Sequence, residues 1–245
     1  MTPSAPTNAR GLALAALLEC HKKEAFVQEV LDRHFQQSKL SAADRRLAMQ
    51  MAYGVLRRRG TLDALLIPLV TRERHKTQPW LWEALRLGAF QLALMSNIPV
   101  HAAIYETVEL AAVFGQPKAK GFLNGVLRAL SRLLTAEAVH GPAEDSLPVG
   151  EGEYRRLAKP VFPSPQERPA DYLGAAFSLP EWLAERWLAR TPSPARMRTW
   201  REAAVIPRLS RKWSISVRRQ PERCGCDSSP PATTAPLSGP GISTA

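Results

Sequence analysis

Gly121-Phe122-Leu123-Asn124-Gly125-Val126-Leu127-Arg128-Ala129-Leu130-Ser131-Arg132 is the stretch whose periodicity decides the fold. Wound at about 100° per residue it separates into three stripes. Phe122, Leu123, Val126, Leu127 and Leu130, continued by Leu133 and Leu134, make a broad apolar face. Gly121, Gly125 and Ala129 recur every four residues as a strip of small side chains, and Lys120, Asn124, Arg128 and Arg132 line the remaining side. A glycine inside a helix costs about 1 kcal/mol relative to alanine. Two of them one turn apart therefore predict a strip where another helix approaches closely. The basic row reads either as a solvated face or as the rim of a surface for polyanions.

Working outward, the same spacing recurs through the preceding residues. Pro117, Pro99 and Pro79 each stand where a first helical residue belongs. The run from Trp80 to Leu92 is apolar nearly all round, which places it in the middle of a bundle, with the Trp80/Trp82 pair in the core. Thr61 is expected to cap a short helix through Leu69. Ser41 with Asp44 three residues on resembles a capping box opening a helix that Arg57-Arg58-Arg59-Gly60 closes. An amphipathic run from Phe26 to Gln37 and a first helix from Asn8 to about Cys20 complete a set of seven. No stretch reads as a strand. Short connections make neighbours antiparallel, so the expectation is an all-α bundle.

The 245 residues carry a net charge of +11, unevenly distributed. Residues 1–136 hold eighteen Lys and Arg against ten Asp and Glu; residues 137–195 are net acidic, and residues 196–245 are basic again. Fifteen of the 21 prolines lie beyond residue 136, which argues against a long compact continuation. The expected organisation is a helical domain over 8–136, a linker over 137–177, a segment with one amphipathic helix over 178–205, and a disordered basic, Pro/Ser-rich tail over 206–245.

No catalytic constellation is legible. The five histidines are scattered, Cys20, Cys224 and Cys226 form neither a disulfide framework nor a zinc set, and no phosphate-cradling glycine loop is present. The expected catalytic, metal-ligating and cofactor-binding sets are therefore empty. The apolar run after Arg10 is too short to span a membrane and lacks a leader's cleavage site, so the expectation is a soluble cytoplasmic protein.

Gly121 to Arg128 resembles the last helix of the NusB-type RNA-binding domain, in the version carried at the N-terminus of the RsmB/Sun family of ribosomal RNA cytosine-5 methyltransferases. Asp44-Arg45-Arg46 through Tyr53-Gly54-Val55-Leu56-Arg57, Leu85 to Leu92, and Ile98-Pro99-Val100-His101 through Ala111 agree with that family in the same order. Asn8-Ala9-Arg10 is similar to its opening, and Ser178 to Leu188 resembles the segment leading into its catalytic half. The resemblance implies a bundle that binds RNA, ribosomal RNA in particular, with phosphate contacts from Arg10, Lys118, Lys120, Arg128 and Arg132 and a base or sugar contact from Asn124. A protein partner or a homodimer is a further implication, and a membrane is not. The family's S-adenosylmethionine-binding domain with its two cysteines has no counterpart among these residues. The cofactor is expected only if a catalytic domain is supplied elsewhere, and the chain is expected to be the noncatalytic front of a truncated or frame-shifted enzyme. The alternative expectation is a NusB-like antitermination factor acting through RNA and protein.

Overall fold

The computed structural model describes residues 8–23, 25–70 and 77–190. Among them, seven helices occupy the first part: α1 (Ala9–Lys23), α2 (Val27–Gln36), α3 (Ala42–Arg57), α4 (Arg59–Leu66), α5 (Pro79–Leu94), α6 (Val100–Val113) and α7 (Lys120–Leu133). The caps expected from sequence form where the reading was local. The Gly11 N–H donates to Asn8 Oδ1 at 2.7 Å, and the Asp44 N–H donates to Ser41 Oγ at 3.1 Å. α5 is the axis of the bundle, with every residue from Trp82 to Ala93 buried. It packs on α1, α3, α4, α6 and α7.

Within these seven helices two glycines mark close helix approaches, and they are not those of α7. A Cβ on Gly54 would lie 2.0 Å from Phe90 Cζ, so the ring of α5 rests directly on the α3 backbone. A Cβ on Gly88 would lie 2.7 Å from Leu127 Cδ2, so α7 inserts its central leucine against α5. Above Gly121 and Gly125 a Cβ would meet nothing within 4 Å. The expectation that another helix packs on that strip is therefore corrected: both glycines face solvent.

Inside the bundle Arg86, only 1% exposed, donates through Nε and Nη2 to the two oxygens of Asp63, each at 2.7 Å. Its Nη1 donates to Glu83 Oε1 at 2.5 Å. Trp82 Nε1 donates to Asp63 at 2.9 Å, and Arg59 reaches Glu83 from the surface side at 3.1 Å. Two guanidinium and two carboxylate groups thus offset one another, the condition for burying charge at tolerable cost.

The expected linker over 137–177 is instead ordered structure. Strands β1 (Leu134–Val139), β2 (Ser146–Pro148) and β3 (Tyr154–Leu157) form an antiparallel sheet in the order β1-β3-β2. Pro148 occupies an edge strand, where its missing N–H breaks no ladder bond. Helices α8 (Pro169–Phe177) and α9 (Glu181–Arg190) follow. Leu147, Leu157, Phe162, Tyr172, Leu173 and Ala176 join the apolar core of the bundle. Prolines that suggested a linker start or border these short elements.

The docking of this extension explains two residues read differently from sequence. Thr61 lies within α4 and does not cap it, because the helix already begins at Arg59. Its N–H donates to Ser178 Oγ and its hydroxyl to the Ala176 carbonyl, both at 2.9 Å. Gly60 lies one residue inside α4 and does not close α3. A Cβ there would sit 2.8 Å from the Gly174 carbonyl oxygen, so α8 crosses α4 at backbone distance. Arg58 separates α3 from α4 and donates to the Pro148 carbonyl; burial lowers its guanidinium to about 10. Residues 191–205 and the expected disordered tail lie outside the described residues.

Candidate nucleic-acid interface

The buried face of α7 fixes where its other faces point. Leu123, Val126, Leu127, Leu130 and Leu133 are buried, which turns Lys120, Asn124 and Arg128 toward the neighbouring α6. The two helices enclose an open groove of about 880 Å³. Val100, His101, Ile104, Tyr105 and Val108 form its α6 wall; Lys120, Gly121, Asn124, Arg128 and Ser131 form its α7 wall. One wall is largely apolar and aromatic, the other polar and basic. Tyr105 is 64% exposed and Val100 51% exposed.

Three of the six residues expected to contact RNA therefore meet in one place. Asn124 Oδ1 accepts from Arg128 Nε at 3.1 Å, which holds the guanidinium along the helix and leaves the Asn124 amide N–H groups as donors. Lys120 Nζ donates to both oxygens of Glu109 at 2.8 Å. That pair is half-buried but still open to solvent and contributes about 1 kcal/mol, too little to withhold the ammonium from a phosphate. Arg132 continues the row one turn further and is exposed. Lys118 is exposed in the 3-10 turn Pro117–Ala119 that precedes α7 and does not line the groove.

Arg10 belongs to a different feature. Its Nε donates to Gln91 Oε1 at 2.7 Å, Gln91 Nε2 donates to Thr107 Oγ1 at 3.1 Å, and the Thr107 hydroxyl donates to the Ala103 carbonyl at 2.7 Å. This seam ties α1, α5 and α6 together, so Arg10 is a partly buried structural side chain as well as a cation. Tyr105 and Val100 were absent from the residues expected at the interface. The signal for them was present in the sequence, since Thr107 and Leu110 already account for the inward face of α6.

Among the described residues no three His, Cys, Asp or Glu side chains gather as metal ligands. Burial pushes the Cys20 thiol up to about 11, so it is not a nucleophile at neutral pH. No described helix is long and apolar enough to cross a membrane.

Comparison with known proteins places these features in a lineage. The NusB family model matches residues 7–132. A Bacillus subtilis protein named "probable ribosomal RNA small subunit methyltransferase B" is 32% identical over 181 residues, covering 74% of this chain and 35% of that protein. The ribosomal RNA small subunit methyltransferase B of Klebsiella pneumoniae is 36% identical over 125 residues, 51% of this chain and 28% of its own length. The transcription antitermination protein NusB of Alcanivorax borkumensis is 34% identical over 133 residues, which is 54% of this chain and 89% of that protein. The chain thus spans about a third of the length of the methyltransferases it matches.

Proposed function

The chain belongs to the NusB family, and on that premise we propose that it is an RNA-binding, noncatalytic module that holds ribosomal RNA for a cytosine-5 methyltransferase reaction in the cytoplasm. The observation that carries this reading is the surface of α7. A basic row runs beside two helical glycines that no packing contact requires. A sugar–phosphate backbone gains from both, because the cations neutralise phosphates and the missing Cβ atoms let the chain lie close to the helix. Lys118, Lys120, Arg128 and Arg132 supply charge, Asn124 supplies a hydrogen bond, and Arg10 braces α1 against α5. From Lys120 to Arg132 the row extends ~18 Å at 1.5 Å per residue. S-adenosylmethionine enters this scheme only with a catalytic domain, and the bundle itself carries no step of methyl transfer.

A second reading, an antitermination factor working with a protein partner, draws on the high coverage of the Alcanivorax borkumensis protein. The first is favoured because the 181-residue match to the Bacillus subtilis protein is longer than the stretch preceding β1, and so includes part of the docked extension.

The test is a salt titration of RNA binding by fluorescence anisotropy, with the parent chain and with Arg128→Gln/Arg132→Gln. Each phosphate that the variant no longer neutralises lowers the slope of log K against log salt by about 0.7 on single strands and about 0.9 on duplex. A flat salt profile, or a double variant with the parent's slope, overturns the proposal.

A further inference from the structure

We propose that the seam between the helical bundle and its docked extension binds a small monovalent anion of the size and charge of chloride, held by Arg58 and Tyr154 with Tyr172 beside them. The site lies outside the α6/α7 groove and does not depend on the RNA-binding reading. Arg58 stands between α3 and α4 and reaches into the extension, where it donates to the Pro148 carbonyl. Its Nε is sealed from solvent and has no hydrogen-bond partner among the described residues. Pro148 of β2 pairs with Tyr154 of β3, so the tyrosine lies across the ladder from the carbonyl that Arg58 holds. The Tyr154 hydroxyl is likewise sealed and without a partner in that set. Tyr172 of α8 completes the cluster. Its ring meets Phe162 and Phe177 edge to face, each at 6.2 Å, and its hydroxyl interacts electrostatically with both Tyr154 and Arg58. Buried polar atoms left unpaired by the protein call for a ligand that pairs them. Among the described residues no carboxylate opposes Arg58, whereas the buried Arg86 shares two. Burial lowers the Arg58 guanidinium to about 10 and raises both phenols, so at neutral pH the cluster is one cation beside two neutral hydroxyls. That net charge repels a metal ion. Chloride accepts from Nε–H and from the hydroxyls and also neutralises the guanidinium; a water molecule does the first and not the second. The anion thereby joins the α3/α4 junction to β2, β3 and α8, and makes the docking of the extension depend on it.

The experiment is thermal unfolding of the full chain in sodium chloride and in sodium gluconate at equal ionic strength, for the parent, Tyr154→Phe and Arg58→Met. Gluconate carries the same charge and is too large for the seam. Chloride at ten times its dissociation constant is expected to raise the parent's melting temperature by about 3–6 °C over gluconate, and the rise saturates. Tyr154→Phe keeps the net charge and deletes one donor, so half-saturation moves to about tenfold more chloride, the equivalent of one hydrogen bond to a charged group. In gluconate the same variant melts no lower than the parent, because a buried unpaired hydroxyl is gone. Arg58→Met loses the chloride increment. Crystals grown in bromide are expected to show anomalous density within hydrogen-bonding reach of Arg58 Nε and Tyr154 Oη. Equal melting of the parent in the two salts, or no bromide at the seam, overturns the inference. A Tyr154→Phe chain that keeps the parent's chloride response assigns the salt effect to the basic surface and overturns it as well. A Tyr154→Phe chain destabilised equally in both salts assigns the cluster to a bound water, with the same consequence. Should Arg58→Met fail to fold, the Tyr154→Phe comparison and the bromide position decide by themselves.

Discussion

Replacing Gly125 by alanine separates two uses a helical glycine can have. Gly125 lies in the interior of α7, is exposed, and has open space where a Cβ would stand. Alanine there adds no clash and recovers the ~1 kcal/mol that glycine costs within a helix. For a chain of this size ~1 kcal/mol moves the melting temperature by about 2–4 °C, and a rise of that order is expected. The added methyl projects onto the strip beside Asn124 and Arg128, where the proposed path of the RNA backbone comes closest. A cost of ~1 kcal/mol in that contact raises Kd about fivefold, so affinity falls while stability increases. Gly54→Ala supplies the opposite case. Its Cβ would stand 2.0, 2.4 and 2.6 Å from three atoms of the Phe90 ring. Overpacking of this kind costs ~1–3 kcal/mol, which offsets or exceeds the helix-propensity gain and lowers the melting temperature. Circular-dichroism melts and anisotropy titrations at low salt measure both quantities. A Gly125→Ala chain that melts at or below the parent refutes the account of the open strip. One that binds RNA as tightly as the parent refutes its use as a contact surface.

Arg86→Met removes the buried guanidinium that Asp63 and Glu83 share, and the destabilisation is expected at ~3–5 kcal/mol, read as a lower urea midpoint. Gly60→Ala drives a methyl against the Gly174 carbonyl at 2.8 Å, a backbone atom that cannot turn aside. Hydrogen exchange should speed up in α8 and leave α1 and α5 protected as before. The hydrogen bonds from Lys23 and Arg33 hold the Glu19 carboxyl down to about 2, below its ordinary 4.5. Its folded pKa is depressed, so its contribution is complete above about pH 4.5 and is lost as pH falls toward 2. The stability gap between the parent and Glu19→Gln, measured by urea unfolding, should close across that window; a gap independent of pH would show that the ion pairs contribute nothing.

What the amino-acid order determined by itself is what acts within a few residues along the chain. The apolar stripe of α7, the all-round burial of α5, and the caps at Asn8 and Ser41 follow from helical period and from side chains that reach their own backbone. The row Lys120–Asn124–Arg128 was legible for the same reason, since residues four apart share a helix face. The tertiary structure decided everything that depends on what arrives from far away in sequence. Thr61 looks like a cap until Ala176, 115 residues on, takes its hydroxyl. Gly54 and Gly88 differ from Gly121 and Gly125 only in having Phe90 and Leu127 above them. Strands of three, four and six residues are too short for an alternating pattern to register, and their pairing comes from the ladder and from the core they share with the bundle. The groove itself belongs to no single helix. It exists because burying the leucines of α7 against α5 and α6 leaves Tyr105 and Arg128 facing one another across open space, and only packing sets that arrangement.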